Sequence, residues 1–142
     1  MKPLALRGGR LAALVVALLA TEWALAQTSA LDECSRQAAG APQMAQCLQF
    51  AQRTASDEML ATFQQVEQRL RRREPAEAGD AAAAALRQSQ RDFERYVEGH
   101  CGFVHALAGG GGLGDTAALA CETDLLRQRR FMLQTLLPRA AN

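Results

Sequence analysis

Lysine is nearly absent: the one copy is Lys2, so almost every permanent cation along the chain is an arginine. The basic and acidic totals are 16 and 15. A nucleic-acid binder ordinarily gathers a basic excess on one face, and that class is excluded here. The dense basic clusters, Arg71-Arg72-Arg73 and Arg127 with Arg129 and Arg130, have acids nearby and read as solvated helix ends or surfaces. Close cysteine pairs are also missing. Cys34, Cys47, Cys101 and Cys121 are too far apart for the C-x₂₋₄-C spacing of structural zinc. The run Gly109–Gly112 is not followed by Gly-Lys-Ser/Thr and no strand precedes it, which excludes a phosphate loop.

No apolar run is long enough to span a bilayer. Leu11–Ala20 holds ten residues before Thr21 and Glu22, against about 20 for a spanning helix. What that run does fit is a secretory signal. Lys2, Arg7 and Arg10 precede it, and Ala24-Leu25-Ala26 offers small residues for cleavage after Ala26. Removing residues 1–26 takes away Lys2, Arg7, Arg10 and Glu22, leaving 13 arginines against 14 acids, a net charge of −1. The expected product is soluble, with no membrane segment, in the periplasm or secreted. Residues 27–142 are expected to form a single domain. Four cysteines, an even number in an exported chain, predict two disulfides.

The apolar spacing is helical throughout, and no convincing strand occurs. Residues 27–33 are polar and expected to fray until Cys34. A short helical turn fits between Cys34 and Cys47. The first long helix is predicted from Pro42 or Ala45 to Arg73, on the stripe Leu48, Ala51, Ala55, Met59, Phe63, Val66 and Leu70. Pro75–Gly79 reads as a connection and Asp80 as the N-cap of the second helix. That helix carries Leu86, Phe93, Val97 and Cys101, with Ser89 or Gln90 filling the stripe, and Phe103, Val104 and Leu107 can extend it. Ala81–Ala85 is expected to be exposed and held by propensity. Gly109–Gly114 reads as a flexible loop. Asp115 or Thr116 is the expected cap of a third helix ending near Leu137 before Pro138. Its stripe is Ala118, Cys121, Leu125, Met132 and Leu136, flanked by Leu119, Leu126, Leu133 and Leu137.

The predicted fold is therefore all-α: a three-helix antiparallel bundle with a short N-terminal helical turn, stapled by two disulfides. Antiparallel helices bring Cys47, Cys101 and Cys121 to one end. Cys34–Cys47 with Cys101–Cys121 joins near neighbours. Cys47–Cys101 with Cys34–Cys121 ties distant elements instead. We favour the former, and spacing leaves the latter open.

Catalysis needs a nucleophile and base within reach, or two acids in unlike environments. His100 and His105 lie near Cys101, but an oxidised cysteine is no nucleophile. Asp92, Glu94 and Glu98 share a solvated face with intervening arginines. The reading is non-catalytic, without cofactor or metal, and both histidines sit at a helix end. Gln90 falls on or beside the buried stripe, where its amide must find partners. Tyr96 can bury its ring and keep its hydroxyl at the rim. Arg129 lies within the apolar arc of the third helix and needs an acid or a route to water; Glu58 or Glu98 is the expected partner.

Gln90-Arg91-x-Phe93-x-x-Tyr96 leads to Cys101, a glycine-rich loop, then Cys121-x-x-x-Leu125-x-x-x-Arg129. With two cysteines ahead of Glu58-Met59-x-x-x-Phe63, this resembles the LprI-like lysozyme-inhibitor family of small exported four-cysteine proteins. The resemblance spans Cys34 to Leu136. Phe93 stands where tryptophan is common, and Val97-Glu98 where an Arg-Asp pair is common. Leu60, Phe63 and Leu126 replace Asn, Tyr and Thr. The resemblance implies a helical exported domain with a protein partner, and its name implies lysozyme. Glu58, Gln90, Tyr96, His105, Asp115 and Arg129 are the candidate interaction residues. Residues 105–115 form the one stretch of suitable length to enter a carboxylate-lined glycosidase cleft. They contain no arginine, and a charge of −1 offers little steering toward a basic lysozyme. An envelope structural or stress-related protein with another partner is the alternative. Nothing in the pattern fixes an oligomeric state.

Overall fold

The computed structural model describes residues 28–137. The expected signal over 1–26 and the stop at Pro138 lie outside the described residues. Among the described residues there are four helices: α1 (Ala30–Ser35), α2 (Ala41–Arg71), α3 (Ala76–Leu107) and α4 (Gly111–Gln134). The three long helices form the bundle, and α1 packs against α2 and α4 at one end. Among the described residues there is no strand, and no helix is long and apolar enough to cross a membrane.

Segment 28–33 is folded, contrary to the expectation that it frays. Ser29 caps α1, its Oγ accepting the Asp32 N–H at 3.1 Å. Ala30 is fully buried, and its N–H donates to Asp124 Oδ1 at 2.8 Å. Arg127 adds an ion pair to Glu33 at 2.8 Å. These partners lie 94 residues away in sequence, so a local reading of a polar heptapeptide could not find them.

Helix α2 follows its stripe. Leu48, Ala55, Met59 and Val66 are buried, while Ala51, Phe63 and Leu70 are half-buried. Pro42 occupies the first turn, where its missing N–H costs nothing. The connection to α3 is shorter than predicted. Pro75 precedes the first helical residue, so Asp80 is inside the helix and does not cap it. Gly79 is not linker but a contact: a Cβ there would lie 2.6 Å from the Leu70 carbonyl oxygen. Ala83, expected to be exposed, is buried one turn further on.

The glycine-rich segment is mostly helix. The turn occupies Ala108–Gly110, and Gly109, Gly110 and Gly111 take φ of 87°, 68° and 57°. Side chains rarely adopt these values, so these glycines make the reversal. Asp115 and Thr116 are inside α4 rather than capping it; Thr116 Oγ donates to the Gly112 carbonyl. The buried face of α4 is also displaced from the predicted stripe. Met132 and Leu136 are exposed, while Ala120, Thr123 and Leu133 are buried and Leu126 is half-buried. Small residues let α4 approach both neighbours, so the predicted flank becomes the centre.

The disulfides are Cys34–Cys47 and Cys101–Cys121, each with Cα atoms 5.7 Å apart. Two apolar clusters fill the interior. Ala30, Cys34, Leu48 and Ala120 form one beneath α1. Met59, Val66, Leu86 and Leu133 form the other further along the bundle. The arginines of α4 are not simply solvated. Arg127 reaches Glu33 on α1, Arg129 reaches Gln90 and Ser89 on α3, and Arg130 reaches Glu58 on α2. Each half-exposed contact stabilises little alone, but together they fix the rotation of α4 against all three partners.

Candidate functional site: a groove leading to the glycine turn

On α3, positions 90, 93, 94, 97, 98, 101 and 105 recur every three or four residues and share one face. In the structure they form one wall of a groove of about 440 Å³. Gln52, Ser56 and Met59 of α2 form the opposite wall, and Ala118, Glu122 and Leu126 of α4 contribute from below. Phe93 and Val97 are only half-buried because the groove leaves them open. The groove therefore has apolar surface from Met59, Phe93, Val97 and Leu126. Its carboxylates are Glu94, Glu98 and Glu122, His105 adds an imidazole, and the lining includes neither arginine nor lysine.

Gln90 stands at one end. It is 8 % exposed, and its amide is satisfied on both sides as the sequence requires. Its Nε2 donates to Glu94 Oε1 at 3.1 Å, and its Oε1 accepts from Arg129 Nε at 3.2 Å. Arg129 also donates to Ser89 Oγ at 3.0 Å and lies 5.4 Å from the Phe93 ring centroid, a cation–π contact. The expected acid partner is thus replaced by neutral acceptors and a ring. Glu98 lines the groove, and Glu58 is taken by Arg130. Burial pushes the Arg129 pKa down from its ordinary value, though a guanidinium stays charged.

His105 lies at the other end. Its Nε2 is 3.1 Å from Asp115 Oδ1 across the turn. Gly114 makes this possible, since a Cβ there would lie 2.8 Å from the His105 carbonyl oxygen and 2.7 Å from its ring. Beyond the pair, Phe103, Leu107 and Leu113 are strongly exposed.

Of the six candidates, Gln90 and His105 line the groove. Arg129 and Asp115 do not line it but contact those two residues. Glu58 and Tyr96 are elsewhere. Tyr96 does not bury its ring; it is half-exposed and stacks on His100 with centroids 5.2 Å apart. Sequence reasoning missed Glu122 and placed Glu98 on a solvated face or beside Arg129, whereas it lines the groove. The available signal was the i,i+4 series Ala118, Glu122, Leu126 on α4 and the two overlapping pairs Phe93–Val97 and Glu94–Glu98 on α3. Cys101 is bonded to Cys121, which removes any thiolate from the neighbourhood of the histidines.

A helical bundle clasped by two disulfides, with an acid-walled groove beside its glycine turn, defines a class of small all-α disulfide-linked domains. The model of the family "Lysozyme inhibitor LprI" matches residues 34–133, a span that holds all four cysteines, and the chain belongs to that family. No curated protein and no solved structure matches it.

Proposed function

We propose that the protein is exported, is cleaved after Ala26, and works in the periplasm or outside the cell as a non-catalytic inhibitor that binds a lysozyme. Membership of the lysozyme-inhibitor family over 34–133 carries this reading. Two disulfides support export, because such bonds persist in oxidising compartments. The groove and turn supply a surface of the right kind, combining exposed apolar side chains with carboxylates that suit a basic enzyme. The groove residues Gln90 and His105, with Arg129 and Asp115 bonded to them, belong to that surface.

Titrating the oxidised protein (residues 27–142) into a basic c-type lysozyme, with cell-wall lysis followed in parallel, tests the reading. A dissociation constant below about 1 μM, roughly −8 kcal/mol, together with blocked lysis is expected. No heat and full lysis at tens of micromolar would contradict it. The partner would then be sought among other envelope proteins.

A further inference from the structure

We propose that the groove between α2 and α3 receives an arginine or lysine side chain from a surface segment of a basic protein partner. This rests on the inhibitor reading above and adds which surface binds and what chemistry it accepts. The groove presents two unlike demands. Its apolar surface, Met59, Phe93, Val97 and Leu126, favours hydrocarbon. Glu94, Glu98 and Glu122 stand beside it; Glu94 accepts from Gln90, but a purely apolar or anionic occupant would leave Glu98 and Glu122 desolvated and unpaired. A long cationic side chain meets both demands, laying its aliphatic stem on the apolar surface with its charged head among the carboxylates.

No arginine among the described residues lines the groove. Among the described residues, Glu98 and Glu122 enter no ion pair. Arg127 and Arg130 are paired with Glu33 and Glu58, and Arg129 is held by Gln90, Ser89 and Phe93. The walls are also fixed in advance. Glu98 lies one helical turn before Cys101, and Glu122 follows Cys121, so the Cys101–Cys121 disulfide clamps the two carboxylate-bearing segments together. Such preorganisation lowers the ordering cost of binding. The near-neutral charge of residues 27–142 places the attraction in the groove itself rather than in the overall field.

The test compares the native protein with Glu98→Gln/Glu122→Gln, two groove-wall changes that preserve shape. The control is Glu77→Gln/Asp80→Asn, an equal charge change at exposed positions in the first turns of α3. Affinity for a basic c-type lysozyme should fall at least about ten-fold in the groove variant and the salt dependence should weaken. Thermal unfolding should be unchanged, and the control should bind like the native protein. Equal loss in both variants, or no loss in the groove variant, overturns the proposal. If the native protein does not bind lysozyme, the inhibitor reading fails, and the groove is judged by titrating ¹⁵N-labelled protein with an arginine-rich hexapeptide. Shifts confined to Phe93, Val97, Glu98 and Glu122 support it; absent or scattered shifts overturn it.

Discussion

Val66 and Leu133 are each 1 % exposed, and with Met59 and Leu86 they fill one half of the bundle by bulk. The half beneath α1 buries Ala30, Cys34, Leu48 and Ala120, of which leucine alone is large. Both disulfides are in that half, and so are the glycine turn and most of the groove. Apolar burial yields about 25 cal/mol per Å², so small side chains stabilise little, and cross-links that restrict the unfolded chain offset the shortfall. The cross-linked half can therefore leave Phe93 and Val97 open without losing its shape. Packing holds one half and covalent bonds hold the half that presents a surface.

Reduction should break this comparison most severely. Each cross-link contributes about 3 kcal/mol in the chain-entropy model, and together they rival the stability of a small domain. Reduced protein should show a much lower urea midpoint, with α1 and the α3–α4 turn exchanging amide protons first. An unchanged midpoint would contradict it. In the packed half, Leu133→Ala should cost about 2–5 kcal/mol. At the exposed turn, Leu113→Ala should stay within about 0.5 kcal/mol; equilibrium denaturation measures both. Gly114→Ala forces a Cβ against the His105 carbonyl and should cost about 1–3 kcal/mol. Its His105 ring resonances should move while those of Leu133 do not.

Acid should have the smallest effect. A hydrogen bond from Arg127 is the main cause holding Glu33 below its ordinary 4.5, and hydrogen bonds from Arg71 and then Arg87 do the same for Glu67. Depressed carboxylate values contribute stability that is present above pH 4.5 and lost as pH falls through the folded values. Burial raises Asp124 above 3.8, which has the opposite sign: protonation in the folded state relieves a cost as pH falls. Asp124→Asn should therefore make acid loss of stability steeper and Glu67→Gln should make it shallower, as read by thermal unfolding between pH 5 and 3.

The long stripe of α2 was legible because large apolar residues repeat over many turns with no glycine or internal proline. Gln90 was legible for a related reason: an amide on a buried stripe demands partners. Helix α1 was not, since its anchors Asp124 and Arg127 are remote in sequence. The face of α4 was misplaced because Ala120 and Thr123 form the close contacts while the larger Met132 faces outward and Leu136 lies exposed past the helix end at Gln134. Arg129 was rightly seen to need satisfaction, but its partners are an amide, a hydroxyl and a ring. The groove became visible only when α2 and α4 were set against α3, because its glutamates look like ordinary surface charge in sequence.

Amide hydrogen exchange of the oxidised protein, with and without saturating c-type lysozyme, tests the division of labour most directly. New protection should appear in α3 from Gln90 to His105 and in α4 from Asp115 to Leu126, with little change around Val66 and Leu133. Protection centred on the packed half, or none anywhere on the protein, would contradict the account.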